Sequence, residues 1–366
     1  MNLSNLLVIS AMMCAASFSV GCDAEIDGQF EHNEALVDQE QDEGFQVGGL
    51  LPGGQVGDAT VVGVETLDVT IPGSLHAQGL ALPAKLVRPK WSKAVGKRPA
   101  MLVLHGSGGL LKMPESKADA PCSPKMESQF VDWSNRLAKL GYTVLLPSSY
   151  SARGFCDLHD DTARIPKTFD DKPEQVLARL YDTDAATRYL CDRAEVDCDR
   201  MGLLGFSQGA TAVMTALHWQ IEHAITYFRD HKASELDYPI VDVKPGRPEF
   251  KMGIAYYPGC GFDGLVPLST SNSAAIENKF SVTAPLTVLH GSEDSLVTQC
   301  STQYGTGARQ IHAKQVAGML KISDLYEITV YSGAHHSFDS ASSKGADATA
   351  RDAALKVTLA KLATQL

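Results

Sequence analysis

A serine acts as a nucleophile where the chain turns tightly enough to push its hydroxyl out of a sheet, and Gly205-Phe206-Ser207-Gln208-Gly209 has the composition of that turn. The short apolar run Met201-Gly202-Leu203-Leu204 leads into it, and a long apolar-periodic segment leaves it. In the order strand, turn, helix, the glycines beside Ser207 remove the side chains that would crowd the bend, so Oγ projects from the carboxyl edge of the sheet. Such a hydroxyl needs a base to take its proton and an acid to orient that base. Both follow downstream. Leu286-Thr287-Val288-Leu289 runs into His290-Gly291-Ser292-Glu293-Asp294, and Ile328-Thr329-Val330-Tyr331 runs into Ser332-Gly333-Ala334-His335-His336. The chain order Ser207, Asp294, His336 therefore predicts a serine, acid and histidine triad assembled from three strand ends.

A fourth strand end completes the chemistry. Met101-Leu102-Val103-Leu104 enters the loop His105-Gly106-Ser107-Gly108-Gly109. Ser107 in that loop and Gln208 after the nucleophile are the candidate backbone donors for an oxyanion, each worth roughly 3 kcal/mol of barrier. His105 is expected to order the loop rather than to react.

These residues need elements that bring them to one edge. Residues 61–71 and 77–87 read as a first strand pair around Pro72-Gly73. Strands and helices then alternate, with helical patterns over residues 125–140, 173–194 and 208–229, and a further helix over 301–320 before a strand at 325–331. The alternation predicts an α/β fold with a mostly parallel central sheet and helices on both faces. Residues 231–250 and 262–282, rich in Pro and in Ser and Asn respectively, read as insertions above the sheet.

Gly205 to Gly209, the strand end Tyr256-Tyr257-Pro258-Gly259-Cys260, His290-Gly291 followed by Asp294, and the pattern Y-x-G-A-x-H-x-F-D from Tyr331 to Asp339 together resemble the dienelactone hydrolase family of α/β hydrolases. The resemblance runs from about Leu67 to the C-terminus. It implies the α/β-hydrolase fold, selects His336 over His335 and Asp294 over Glu293, and implies ester hydrolysis through an acyl-enzyme without a cofactor. The members that named the family use a cysteine nucleophile, so Ser207 places this chain among the serine-bearing, esterase-like members. The segment from Ser149 to Gly154 resembles the family's stretch ending in Arg-Gly. Arg153 within it has two readings: its planar fork binds a substrate carboxylate, or it pins the loop in a salt bridge.

Composition bounds the partners. The chain has 366 residues, 44% hydrophobic and 20% charged, which suits one large globular domain over 58–366, and its net charge of −11 argues against nucleic acid as a partner. Residues 1–21 are expected to be a signal peptide, with the apolar run 6–20 preceding Gly21-Cys22, although residues 1–5 lack Lys and Arg and Ser19 stands where Leu is usual. Cys22 is a candidate for lipid anchoring, and residues 22–57, without Lys or Arg, read as an acidic tether. The expected location is secreted or periplasmic. Setting aside Cys14 and Cys22 leaves six cysteines, for which the inferred fold suggests the pairs Cys191 with Cys198, Cys260 with Cys300 and Cys122 with Cys156. No C-x-x-C or H-x-x-x-H spacing suggests a metal. The expected substrate is a small-molecule or polymeric ester. The same triad also serves peptidases and acyltransferases, and a surface lipoprotein that keeps the fold only to bind is the alternative from another class.

Overall fold

Val and Thr alternating with polar residues make Ala59–Ile71 a half-buried strand, while the unbroken apolar runs Met101 to Leu104 and Leu203 to Phe206 belong to strands covered on both sides. The computed structural model describes residues 55–73, 81–115, 122–159, 164–165, 172–218, 221, 249–260, 282–300 and 325–366. The strands are β1 (Gln55–Val56), β2 (Ala59–Ile71), β3 (Leu82–Trp91), β4 (Arg98–Leu104), β5 (Thr143–Pro147), β6 (Val196–Phe206), β7 (Met252–Tyr256), β8 (Leu286–Gly291) and β9 (Tyr326–Tyr331). They form one sheet in the order β1-β2-β3-β5-β4-β6-β7-β8-β9. The pairs from β1 to β5 along that order are antiparallel, and every pair from β5 to β9 is parallel.

The helices are α1 (Ser128–Lys139), α2 (Lys172–Cys191), α3 (Gln208–Ala216), α4 (Val297–Cys300) and α5 (Gly345–Gln365). Side chains of a strand point alternately to its two faces, and the core divides accordingly. Ala100, Leu102 and Leu104 of β4 pack with Leu177 and Leu180 of α2 and Ala212 and Val213 of α3. Met101 and Val103 pack with Phe130 and Leu137 of α1 and Ala354 and Leu362 of α5. Helices thus cover both faces, as the alternation of elements predicts.

Several boundaries differ from the sequence pattern, each for a visible reason. The helix expected from residue 125 begins at Ser128, because Lys112 N–H bonds the Lys125 carbonyl at 2.8 Å and Glu127 N–H bonds the Leu110 carbonyl at 3.0 Å. Those residues are held extended against the loop after β4. In the helix expected over 208–229, α3 ends at Ala216, where Thr283 N–H takes the Leu217 carbonyl at 2.9 Å and His218 bridges to Val282; Ile221 is again helical, and residues 219–220 and 222–229 lie outside the described residues. The second strand of the first pair is described over Leu82–Trp91, and residues 77–80 of its expected range lie outside the described residues. Residues 1–54, with the expected leader and most of the tether, lie outside the described residues, as do the 301–320 helix and most of both insertions.

Two of the three expected disulfides form, Cys191–Cys198 and Cys260–Cys300. Cys122 and Cys156 remain thiols, with Cys156 Sγ 3.1 Å from the Leu111 carbonyl. The loop-closure entropy of a cross-link grows with the chain it encloses. Separations of 40 and 7 residues correspond to about 4 and about 2 kcal/mol respectively. Replacing Cys260 and Cys300 together by Ala should therefore cost more in a urea-denaturation experiment than replacing Cys191 and Cys198; the opposite ranking would show that chain entropy does not control these bonds.

Candidate active site

Ser207 joins β6 to α3 with φ 51° and ψ −118°, a conformation that costs a non-glycine residue about 1 to 3 kcal/mol. The flanking glycines make the bend sterically feasible. A Cβ on Gly205 would lie 2.3 Å from the Gly209 carbonyl oxygen, and one on Gly209 would lie 2.1 Å from the Leu104 carbonyl oxygen. Only hydrogen fits between the elbow and β4. Ser207 N–H anchors the turn to the Tyr256 carbonyl at 2.9 Å.

Parallel pairing brings the other strand ends to the same edge. His336, in the loop after β9, has Nε2 2.9 Å from Ser207 Oγ and Nδ1 2.6 Å from Asp294 Oδ2. Asp294, in the loop after β8, is 4% exposed, and its second oxygen accepts the Leu296 N–H at 2.9 Å. One carboxylate therefore both closes the turn before α4 and grips the imidazole. Burial alone would raise the Asp294 carboxyl, but the bond to His336 and the Leu296 N–H bring it below its ordinary range. It is ionised at neutral pH. The adjacent His335 is turned to solvent and pairs with Asp347 at 3.4 Å.

The loop after β4 forms the facing wall. His105 is buried, with Nε2 accepting from Arg179 at 2.8 Å and from Ser149 N–H at 3.2 Å, so its proton resides on Nδ1, 2.8 Å from the Gly106 carbonyl. Burial first, and the Arg179 charge second, hold this imidazole well below its ordinary pKa. His105 is a neutral strut for the loop carrying Ser107, in accord with its expected role. Ser107 Oγ lies 2.8 Å from His159 Nε2. Gln208 opens α3, so its backbone N–H belongs to the first turn, which has no intrahelical acceptor. The Gln208 side chain is held aside by the Tyr150 hydroxyl and by Gln175 Oε1 at 2.6 Å. Gly106, Ser107, Gln129, Phe130, Ser207, Tyr257, Leu296 and His336 line a cleft of about 630 Å³.

Arg153 stands apart from this cleft. Its guanidinium binds Asp182 of α2 through two bonds of 2.8 and 3.1 Å and the Ser149 carbonyl at 2.5 Å, with 8% of the side chain exposed. The fork faces the protein interior, so the loop-pinning alternative describes it and the substrate-carboxylate alternative does not. Arg179 and Asp182 escaped the sequence reading because charged residues on a helix are ordinarily solvated; only the packing of α2 against the sheet buries them.

A family model described as the dienelactone hydrolase family matches residues 82–366. The chain belongs to that family. It is a hydrolase of the α/β-hydrolase fold. A Bradyrhizobium protein named as a probable 2-oxo-3-(5-oxofuran-2-ylidene)propanoate lactonase is 26% identical over 260 residues, covering 70% of this chain and 78% of its own. A dienelactone hydrolase-like promiscuous phosphotriesterase from metagenomic libraries has a similar structure, with TM-score 0.52 at 15% identity over 83% of this chain and 99% of that one. A thermostable carboxylesterase cloned from a metagenomic library gives TM-score 0.43 at 17% identity, over 84% of this chain and 91% of its own.

Arg153→Met should leave Asp182 as a buried carboxylate without its fork, destabilising the protein by about 3 to 5 kcal/mol. KM for a carboxylate-bearing ester should change no more than KM for its neutral analogue; a selective rise for the anionic substrate would restore Arg153 to the binding site.

Acid should unfold the protein early. Burial holds His218 down at about 4 and lowers His290 despite the neighbouring Asp294, as it does His105. Below the ordinary 6.5 the unfolded chain binds protons that the folded chain refuses, so each such histidine removes about 1.4 kcal/mol per pH unit until its folded pKa is reached. Above about 6.5 both states are neutral and the effect vanishes. Urea midpoints should be flat from pH 7 to 8 and fall steeply from pH 6.5 to 5; a flat profile to pH 5 would contradict the buried neutral histidines.

Proposed function

We propose that the protein hydrolyses carboxylic esters or lactones through an acyl-enzyme on Ser207. The observation that carries this reading is the continuous chain of contacts from Ser207 Oγ to His336 Nε2, 2.9 Å, and from His336 Nδ1 to Asp294, 2.6 Å. His336 takes the Ser207 proton as Oγ attacks the carbonyl carbon, and Asp294 holds the imidazole with Nε2 toward the serine while stabilising the imidazolium. The negative oxygen of the tetrahedral intermediate is bound by the backbone N–H groups of Gln208 and Ser107. Collapse expels the alkoxide, which takes the proton from His336, and leaves an acyl-serine. Water, deprotonated by the same imidazole, attacks that ester and returns Ser207.

A lactone follows the same course with the leaving alcohol tethered to the acyl group. The Bradyrhizobium relative, named as a probable lactonase, favours including this class. Oxidised cysteine pairs and the apolar run at residues 6–20 accord with an exported enzyme, with Cys22 as the candidate anchor.

Ser207→Ala should retain the parent's thermal midpoint to within a few degrees while losing at least about 10³-fold in kcat on p-nitrophenyl acetate. His336→Ala and Asp294→Ala should be severely impaired and His335→Ala close to parental. A fluorophosphonate adduct on any residue other than Ser207, or full turnover by Ser207→Ala, would refute the assignment.

A further inference from the structure

The last residue of the Y-x-G-A-x-H-x-F-D pattern, Asp339, is 8% exposed and accepts four hydrogen bonds from three side chains. Gln129 Nε2 donates to its two oxygens at 3.0 and 2.8 Å, Trp133 Nε1 donates at 3.2 Å, and the Tyr257 hydroxyl donates to Oδ1. Tyr257 is fully buried on that side, and its ring stands edge-on to His336 with centroids 4.7 Å apart and planes 60° apart. The phenol stays protonated because burial and the Asp339 charge push it well above its ordinary pKa. It is therefore a permanent donor.

Backbone strain points to the same place. Among the described residues three non-glycine residues have positive φ: Ser207 at 51°, Tyr257 at 41° and Ser337 at 61°. All three line the cleft, and the last two flank the histidine, one against its ring and one next to it in the chain. An aromatic residue in that conformation costs about 1 to 3 kcal/mol and persists only where surrounding bonds over-determine it. For Tyr257 those bonds are its N–H to the Leu289 carbonyl at 2.7 Å and its hydroxyl to Asp339.

We propose that Asp339 is a positioning residue for His336: by fixing the Tyr257 phenol and the loop on which it sits itself, it fixes the ring against which the imidazole aligns with Ser207. This rests on the roles given above to Ser207, His336 and Asp294. Asp339 touches neither substrate nor the reacting atoms, and of its three donors Tyr257 is the one whose ring meets His336. A displacement of well under 1 Å at Nε2 is sufficient to cost an order of magnitude in rate.

The test is a double-mutant cycle of Tyr257→Phe, Asp339→Asn and the pair, with p-nitrophenyl acetate turnover per titrated active site and the rate of fluorophosphonate inactivation as readouts. Tyr257→Phe keeps the ring against His336 and removes its hydroxyl, with the bond to Asp339 and the one accepted from Gln129 Nε2 at 3.0 Å. Each single variant should lose about 10-fold in kcat and in inactivation rate, with KM within twofold of the parent. The double variant should be no slower than the slower single variant. A purely structural role would lower the thermal midpoint of the variants while titrated sites turned over at the parental rate, which would overturn the proposal, as would additive losses. Should Asp339→Asn fail to fold, Tyr257→Phe decides alone by the same 10-fold criterion. A parent protein that never labels at Ser207 overturns both this inference and the proposed function, whereas a labelled parent with equally fast variants overturns only this one.

Discussion

Parallel hydrogen bonding from β5 to β9 is the constraint on which the rest of the molecule depends. Strands that run the same way finish at the same edge, so the loops after β4, β6, β7, β8 and β9 are obliged to meet there. Gly205 of β6 lies opposite Leu104 of β4 on one side and Ala255 of β7 on the other. A slip of one residue in either register would reverse every side chain of the strand and carry Ser207 away from His336. Both faces of β4 and β6 are apolar, so the slip is forbidden by the close fit of the elbow, where only the glycines at 205 and 209 leave room for the backbone against β4 and α3.

On this frame the site is held by polar anchors placed to either side of it. Below the loop after β4, Arg179 grips His105 and Arg153 grips Asp182, so the segments carrying Ser107 and Ser149 are fastened to α2. On the other side Asp339 gathers Gln129 and Trp133 of α1 and Tyr257 after β7. Both clusters are buried, where an unmatched charge is expensive and a matched one has little freedom. Rigid walls of this kind suit a reaction whose main demand is that donors and the base be aligned before charge develops.

The cleft also concentrates the backbone strain, at Ser207, Tyr257 and Ser337. Such conformations lower stability locally, and the covalent link Cys260–Cys300 ties the loop after β7 to α4, close behind Asp294. Stability contributed at the edge of the site thus offsets strain stored in it.

Local chemistry decided much of this in the sequence itself. A strand running into Gly-x-Ser-x-Gly, and two later apolar runs ending in Asp294 and His336, needed only the periodicity of short strands and the steric privilege of glycine to be read. The same pattern runs a helix through residues 125–127 and without a break across Leu217 and His218, because periodicity does not register a carbonyl claimed by a distant strand or loop. Sequence left Arg153 between two partners, and only the folded packing of α2, which buries Asp182 beside it, chose one. Sequence placed Asp339 at the end of a motif without giving it a role, since its three donors come from α1 and the end of β7, more than 80 residues away. What the sequence determined by itself was the set of groups that local turns present; the tertiary structure decided which charges are buried together, because burial is a property of neighbours that the chain brings in from afar.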